Sequence, residues 1–271
     1  MIRKSAIALL AAAVAFAAVT VNFRHPCAMA ASGQPASAID SKRPEPQYRL
    51  TNSYRLTSSY RLKPIGNSAD GKAVLLTFDD GPKDESMIRE LLRILDKHGA
   101  KAIFFVNGYR AKRHPELIGL LHARGQTIGN HAWDHFDLSK ASEAEADRQI
   151  AEVQRLIGEL TGKAPRFFRS PFGAGGERIK QLAKRRGLLY MTWSIGSLDW
   201  EKRNRNKPER VVRNVMDQLH PGANILMHEL PWTVEALDTL LTRLEEAGYG
   251  FIDPSGIDTG ATDAAERSTN R

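Results

Sequence analysis

Short apolar runs alternate with longer amphipathic stretches along most of the chain, from about Lys72 onward. The apolar runs have the length of buried strands, and the amphipathic stretches have the spacing of helices with one buried face. We predict seven strands, at residues 73–78, 102–106, 127–129, 166–168, 188–193, 224–227 and 249–252. Strands that alternate with helices form parallel sheets, so the pattern indicates an α/β fold, either a barrel or a doubly wound sheet.

The helices between these strands carry start and stop signals. Ser142 and Glu145 have the spacing of a capping box, and Gly99 and Gly248 stand where two helices are expected to end. One helix has an apolar face made of Ile150, Val153, Ile157 and Leu160. These signals support the predicted alternation of strands and helices.

The first thirty residues have the order of a secretory signal peptide. Two basic residues precede an apolar stretch at 6–21, and the small residues at 28–30 provide a cleavage site after Ala30. The apolar stretch is short for a membrane span, which favours cleavage over a retained anchor. We expect the mature protein to be exported, to the periplasm or outside the cell. Cys27 is the only cysteine and is removed with this segment, so the mature chain can form no disulfide.

The segments that flank the predicted main domain, residues 71–253, are polar. Residues 31–70 have the composition of a linker and contain Tyr-Arg-Leu three times, starting at residues 48, 54 and 60. Three short copies are too few for a repeat fold, so we interpret the segment as a linker or as an edge segment lying on the domain. Residues 254–271 contain few large apolar residues and are predicted to be a flexible tail.

Composition and charge narrow the function classes. With 271 residues, of which 42% are hydrophobic, the chain can bury one sizeable core without disulfides. The formal net charge is +8, and the loss of three basic residues with residues 1–30 leaves +5. This surplus is too small and too scattered to indicate a nucleic-acid-binding protein. Basic runs at 184–186 and 202–207 are interpreted as solvated surface, with association with an anionic cell wall as the alternative.

Reactive side chains fall at the ends of the predicted strands. They are Asp79 and Asp80 after the first strand, His131 after the third, Arg169 after the fourth, Asp199 after the fifth and His228 at the end of the sixth. In a parallel barrel these positions meet at the C-terminal edge, where such folds build active sites. We therefore expect residues that are far apart in sequence to form one site.

Each motif is weak evidence when it is taken alone. Asp79 and Asp80 fit a strand-to-loop turn as well as a metal site, and the HxxxH spacing of His131 and His135 is more often structural than metal-binding. Together they supply two imidazoles and a carboxylate, a ligand set typical of hydrolytic zinc, although iron, cobalt or nickel fit it too. Arg169 has the chemistry to orient a carboxylate through a bidentate pair.

Two common alternatives lose support. Residues 173–176 lack the complete glycine fingerprint of a dinucleotide site, and no GxSxG nucleophile motif occurs in the chain. A Rossmann cofactor site and a serine hydrolase are therefore disfavoured.

Five motifs occur in an order that resembles a known family. They are TFDDG at 77–81, HAWDH at 131–135, RSPFG at 169–173, SLDW at 197–200 and LMH at 226–228. The set is similar to the motifs of the polysaccharide deacetylases (carbohydrate esterase family 4, the NodB-homology domain) and covers about residues 70–253. The resemblance implies an α/β fold, a distorted (β/α)7-type barrel with its active site at the C-terminal ends of the strands. It also implies a divalent metal, usually zinc, that serves to remove acetyl groups from N- or O-acetylated polysaccharides.

The resemblance implies a role for each matched residue. Asp80, His131 and His135 match the metal ligands, Asp79 matches the general base, and Arg169 matches the residue that holds this base. In such a site zinc lowers the pKa of a bound water toward about 7. The base takes a proton from this water as it attacks the acetyl carbonyl.

The remaining matches concern proton donation and the substrate groove. His228 matches the second catalytic histidine, Asp199 the residue that orients it, and the backbone N–H of Phe172 the oxyanion donor. Our candidates for walls around a sugar ring are Trp193, Trp200 and Trp232, although core packing explains a tryptophan equally well.

Two positions depart from the family pattern. Ala132 stands where the family usually has a serine or threonine, so a hydroxyl beside the metal loop is lost and weaker metal binding is expected. Gly196 stands where an aspartate is common, three residues before the Asp-Trp pair. Because Asp199 is retained, we interpret Gly196 as a change of groove shape.

Three functions fit the sequence. The one we favour is an exported metal-dependent N-deacetylase acting on glycans that contain N-acetylglucosamine, such as peptidoglycan or a chitin-like oligosaccharide. The second is an O-acetyl esterase acting on a polysaccharide such as xylan. The third, a non-catalytic carbohydrate-binding protein, is disfavoured because all seven matched catalytic and ligand positions are filled. The oligomeric state is left open.

Overall fold

Residues 53–66 and 72–260 are described by the structure, which is a computed structural model of the chain. The predicted signal peptide with its cleavage site, Cys27, and the first Tyr-Arg-Leu copy lie outside the described residues.

Strands and helices alternate through most of the described chain. The strands are β1 Tyr54–Leu56, β2 Leu62–Pro64, β3 Ala73–Gly81, β4 Ala102–Val106, β5 Thr127–Asn130, β6 Phe167–Phe168, β7 Leu189–Tyr190, β8 Ile195–Gly196, β9 Ala223–His228, β10 Gly250–Phe251 and β11 Ile257–Asp258. The helices are α1 Glu85–Lys97, α2 Gly108–Arg113, α3 Pro115–Ala123, α4 Glu143–Thr161, α5 Gly176–Arg185, α6 Pro208–Gln218 and α7 Pro231–Glu246.

A curled parallel sheet with β3 at its centre forms the core. Its strands are hydrogen-bonded in the order β7-β6-β5-β4-β3-β9-β8, and β10 pairs with the first two residues of β3. Among the described residues β7 and β8, at the two ends, do not pair with each other, so the sheet forms a half-barrel. The predicted distorted (β/α)7-type barrel is confirmed.

β3 is covered on both faces. Residues 73–78 are at most 1% exposed, and they point alternately into two different hydrophobic clusters. Val74, Leu76 and Phe78 pack in the cluster that includes the helices, whereas Leu75 packs in the other. A strand buried on both faces is a continuous apolar run in the sequence, which is why this element was predictable.

The opening between β7 and β8, where the sheet does not close, explains one difference between the predicted and the observed strands. We predicted one strand at 188–193, but β7 covers only two residues, and the chain leaves the sheet before it returns as β8, which we did not predict. The Thr192 carbonyl accepts hydrogen bonds from Arg169 Nη2 at 2.7 Å and from Asn224 Nδ2 at 3.0 Å. Side chains therefore take the place of a neighbouring strand at this point.

A small three-stranded sheet is built from residues outside the predicted limits of 71–253. β1 and β2 form an antiparallel hairpin from the second and third Tyr-Arg-Leu copies, and β1 pairs in parallel with β11. Tyr54, Leu62 and Ile257 are at most 3% exposed. A few buried apolar residues thus anchor parts of the predicted linker and tail on the domain.

The predicted start and stop signals lie at helix ends, although the capping box forms only in part. Ser142 Oγ accepts the Glu145 N–H at 3.2 Å, but the Glu145 carboxylate bonds Arg148 and Gln149, so only half of a capping box forms. Gly99 and Gly248 have φ values of 59° and 80° just beyond the ends of α1 and α7. In residues 53–66 and 72–260, no helix has both the length and the apolar character needed to cross a membrane.

We predict that Gly222→Ala detaches the hairpin and lowers the free energy of unfolding by about 3 kcal/mol. Gly222 has a φ of 72°, and a Cβ there would lie 1.9 Å from the Leu62 carbonyl oxygen. Gly187→Ala is the matched control, because Gly187 has a φ of 70° with no atom near its Cβ position. The control should lose only about 1 kcal/mol in denaturant unfolding. Equal losses in the two variants would contradict the contact.

Candidate active site

Two neighbouring aspartates at the end of β3 point to different places. Asp79 is 3% exposed and faces the inside of the half-barrel. Asp80 has a φ of 68°, and the β3–β4 register shifts between Asp79 and Gly81. This local irregularity turns the two adjacent carboxylates in different directions.

Asp80, His131 and His135 converge on one point. Asp80 Oδ1 lies 2.9 Å from His135 Nε2 and 3.3 Å from His131 Nε2. One ligand atom from each of the three residues lies within 4.8 Å of the others. Burial would raise the pKa of Asp80, but its contacts with the two imidazoles hold that pKa well below the ordinary range. The Asp80 carboxylate is therefore ionised.

The hydrogen bonding of His131 shows that this cluster suits a cation. His131 Nδ1 lies 2.7 Å from the Arg169 carbonyl oxygen, which only accepts, so Nδ1 donates and Nε2 is left to face the cluster. His131 Nε2 faces Asp80 Oδ1, a buried oxygen with no hydrogen bond from the described residues. A cation bound between Nε2 and this oxygen would contact both. The donor set fits a divalent metal.

The loop that carries the two histidines is held through its backbone. Ala132 has a φ of 60° and His135 a φ of 47°, conformations that are strained for residues with side chains. The Ala132 N–H donates to Asn130 Oδ1 at 2.9 Å. Gln149 Oε1 accepts the N–H groups of the next two residues at 3.0 and 2.8 Å. The loop thus has support that does not depend on a hydroxyl at position 132.

Arg169 holds Asp79 from inside the half-barrel. Its guanidinium is fully buried, and Nη1 donates to Asp79 Oδ1 at 2.7 Å and to Thr77 Oγ1 at 2.8 Å. Nη2 turns instead to the Thr192 carbonyl and to Asn224 Oδ1. The pair with Asp79 is therefore not bidentate, contrary to our expectation, because the second nitrogen bridges the gap in the sheet. Burial lowers the pKa of Arg169, and Asp79 offsets part of this effect.

His228 and Asp199 form a second oriented pair. His228 Nδ1 lies 2.7 Å from Asp199 Oδ1, while Asp199 Oδ2 accepts from the His228 backbone N–H and from Thr233 Oγ1, each at 2.7 Å. Asp199 is fully buried, so His228 directs Nε2 toward the cleft. Burial lowers the pKa of His228, but the hydrogen bond and charge of Asp199, together with the charges of Asp79 and Asp80, outweigh it, and the pKa is raised from the ordinary value.

These groups share one cavity of about 350 Å³, the central cavity. It is lined by Asp79, Asp80, His131, His135, Phe172, Trp193, Trp200, Leu226 and His228. Arg169 and Asp199 lie behind this surface, where they contact Asp79 and His228. Trp232 does not line the central cavity but an adjoining one, and its Nε1 donates to the Asp199 carbonyl at 2.9 Å. The structure thus places the predicted site residues in or directly behind the central cavity, except Trp232, which lines the adjoining cavity.

Aromatic rings form the rim of the central cavity. Phe172 has a φ of 60° and is 66% exposed, and its ring lies 4.7 Å from that of His135. Trp200 is 44% exposed, with its ring 5.2 Å from His228. A Cβ at Gly196 would come within 3.1 Å of the Trp200 ring. The glycine therefore lets this ring lie close to β8.

Sequence reasoning missed Glu229, which follows His228. This side chain is 1% exposed, and its Oε1 accepts the backbone N–H groups of Lys83 and Asp84 at 2.8 and 2.9 Å. Burial raises the pKa of Glu229, and the two N–H groups oppose that rise. A Cβ at Gly81 would lie 2.7 Å from Glu229 Oε2, so a side chain there would collide with this clamp. The only signal was an acidic residue at the end of a buried strand.

A family model and several known proteins match the sequence of this chain. Residues 66–191 match the family model described as polysaccharide deacetylase. The peptidoglycan-N-acetylglucosamine deacetylase PgdA of Listeria monocytogenes is 38% identical over 182 residues, which are 67% of this chain and 38% of that protein. The chain therefore spans well under half the length of that relative. The peptidoglycan-N-acetylmuramic acid deacetylase PdaA of Bacillus subtilis is 32% identical over 189 residues, 69% of this chain and 71% of PdaA.

Solved structures share the fold. BA3943 from Bacillus anthracis, described as a CE4 family pseudoenzyme, is 31% identical with a TM-score of 0.63, over 66% of this chain and 63% of that one. The match to the family model and the extent of the likeness to PdaA agree with the five ordered motifs. The chain belongs to the polysaccharide deacetylase family, carbohydrate esterase family 4.

Proposed function

We propose that the protein is a metal-dependent N-deacetylase that hydrolyses acetamido groups of N-acetylglucosamine-containing glycans, such as peptidoglycan or a chitin-like oligosaccharide, and releases acetate. One observation carries the proposal. A candidate metal cluster, a carboxylate held by Arg169 and a histidine held by Asp199 all face the same cavity. Relatives named as peptidoglycan deacetylases support the substrate class.

Asp80, His131 and His135 would hold the metal, for which we propose zinc. Two imidazoles and one carboxylate are a usual protein ligand set for hydrolytic zinc. The ion would supply Lewis-acid chemistry, polarising the acetyl carbonyl and acidifying the attacking water. The Arg169 carbonyl fixes the tautomer of His131 so that Nε2 is available as a ligand.

Asp79 acts as the general base. Its buried carboxylate lies 3.7 Å from His131 Nε2, so it stands beside the metal cluster while its Oδ1 is held by Arg169. Oδ2 is then the oxygen that receives the proton of the attacking water. The backbone N–H of Phe172 donates to the oxyanion that forms on the acetyl oxygen.

His228 acts as the general acid. Asp199 keeps the proton on Nδ1 and raises the pKa, so the imidazolium can give its Nε2 proton to the leaving nitrogen. An amine leaves an amide only when it is protonated, whereas a sugar alkoxide leaves an ester more readily. A dedicated acid therefore favours N-deacetylation over the second candidate, an O-acetyl esterase on a polysaccharide such as xylan.

We further propose that Trp193, Trp200 and Phe172 contact the sugar that loses its acetyl group, and that Trp232 contacts a neighbouring sugar. Their rings supply flat apolar surfaces around the central cavity and the adjoining one. Export to the periplasm or beyond is proposed from the signal sequence in residues 1–30, and it would bring the enzyme to the cell wall.

Zinc-loaded protein is expected to release acetate from at least one of peptidoglycan, chitooligosaccharides and acetylated xylan, and chelator should abolish this activity. Asp79→Asn should lower kcat at least about 100-fold because the base is lost, with zinc content unchanged. His131→Ala should instead lose the zinc. If the zinc-loaded protein binds a glycan but releases no acetate from any, the non-catalytic function is correct. Normal turnover in Asp79→Asn, or normal zinc in His131→Ala, would contradict those roles.

The pH dependence of activity tests His228 and Asp199. The active form of His228 is protonated, so activity is present below its raised pKa and is lost as the pH rises through that value. Asp199→Asn removes the charge that raises the pKa, so the alkaline limb of kcat should move to lower pH by about one unit. Thr233→Val, which removes one hydrogen bond but keeps the Asp199 charge, is the control and should move it little. An unmoved limb in Asp199→Asn would exclude His228 as the acid.

Export is tested at the N-terminus. Mass spectrometry of protein recovered from the periplasm or medium should find a chain that begins at Ala31. Ala30→Asp should block cleavage, because signal peptidases require a small residue there. An exported chain that retains residues 1–30 would instead identify the segment as an anchor.

A further inference from the structure

A second cavity of about 370 Å³, the flanking cavity, adjoins the central one. Its walls are Trp200, Trp232 and Leu230, and its polar lining includes Lys83, Lys202 and Arg205. It shares Asp80, Trp200 and His228 with the central cavity, so the two form one continuous groove. A polymer lying in the central cavity would place its next sugar here.

The flanking cavity has a surplus of positive charge. Lys202 and Arg205 form no salt bridge with any residue in 53–66 or 72–260. Glu201, an acidic residue of this lining, is already paired with Arg203. Lys83 lies 4.0 Å from Asp80, whose charge a metal ion would neutralise. Lys202 and Arg205 therefore line the cavity without an acidic partner among the described residues.

Some basic side chains elsewhere on the described surface have an acidic partner, while others, such as Lys163 and Lys184, have none. Examples of the paired side chains are Arg89–Glu85, Arg148–Glu145, Arg155–Glu159 and Arg186–Asp147. The run at 202–207 was noted in the sequence as solvated surface. In the structure Lys202 and Arg205 instead lie beside two tryptophans, at the mouth of the groove that contains the proposed active site.

We propose that the flanking cavity binds a carboxylate carried by the glycan, on the sugar next to the one that is deacetylated. This inference rests on the proposed function and narrows its substrate class to anionic N-acetylated glycans. Guanidinium and ammonium groups bind carboxylates through charge-assisted hydrogen bonds, and the Trp232 and Leu230 side chains supply an apolar wall for the sugar. A neutral chitin-like chain has no group for these cations. The carboxylate belongs either to a sugar acid such as N-acetylmuramic acid or to a peptide attached to it.

The test compares four substrates of equal length with metal-loaded, full-chain protein. They are an oligomer of alternating N-acetylglucosamine and N-acetylmuramic acid, the same oligomer bearing peptides, its carboxyl-methylated form, and a neutral N-acetylglucosamine oligomer. In a Lys202→Ser/Arg205→Ser variant, kcat/KM for the free-carboxylate oligomers should fall about fivefold relative to the neutral one, mainly through KM. A fall on the peptide-free oligomer assigns the carboxylate to the sugar acid, and a fall only on the peptide-bearing one assigns it to the peptide.

The control variant is Lys163→Ser/Lys184→Ser, which removes the same charge elsewhere. Lys163 lines a different cavity beside the start of β5, and Lys184 lies on α5. Its ratio of anionic to neutral kcat/KM should match that of the unchanged protein. An equal fall in the control, an equal fall on the neutral and methylated oligomers, or no fall on any substrate would overturn the proposal.

Binding to an Asp79→Asn protein separates this inference from the proposed function. Calorimetry should show that the anionic oligomer binds more tightly than the neutral one, and that salt and the Lys202→Ser/Arg205→Ser changes remove the difference. If this holds while the unchanged protein releases no acetate, the deacetylase function fails and the carboxylate site stands. If acetate is released but no anionic preference appears in either assay, the carboxylate site fails alone.

Discussion

The fully buried guanidinium of Arg169 is the contact on which the site depends. A buried charge is costly unless it is paired, and here Nη1 and Nη2 donate to β3, β9 and the chain between β7 and β8, while Nε has no hydrogen-bond partner among the described residues. The same contacts bridge the open side of the half-barrel. Its charged carbon also lies 4.3 Å over the Phe105 ring of β4. One side chain thus fixes the strands and the orientation of Asp79 together.

Arg169 also acts through its main chain. Its carbonyl accepts from His131 Nδ1, while its side chain donates to Asp79, so one residue orients a proposed metal ligand and the proposed base. At the other side of the cleft the buried partner is an anion. Asp199 holds His228 through hydrogen bonds with both its ring and its backbone N–H. In both cases a buried partner sets the protonation and direction of a group that lines the cavity.

The central strands and the convergence of the site were predictable from sequence. Strands buried on both faces leave continuous apolar runs, and parallel strands bring their C-terminal ends to one edge, so Asp79, His131 and His228 were expected to meet. β8 was missed because two residues show no periodicity. Glu229 and Gln149 were missed because their partners are backbone N–H groups, whose positions depend on the folded loops. Residues 31–70 were interpreted as a linker or an edge segment on the domain, and the hairpin within them was not specified because a few buried residues in a polar segment give little signal.

Glu229 and His228 are consecutive residues at the end of β9 with different partners. His228 lines the central cavity, while Glu229 holds the backbone just after Asp80. The group proposed to donate the proton and the clamp on the loop that follows Asp80, a proposed metal ligand, are therefore joined by one peptide unit. When thermal motion displaces the end of β9, both are carried in the same direction. Fluctuations of the groove are thus expected to be correlated across it, so that the spacing between proton donor and metal ligand varies less than either position.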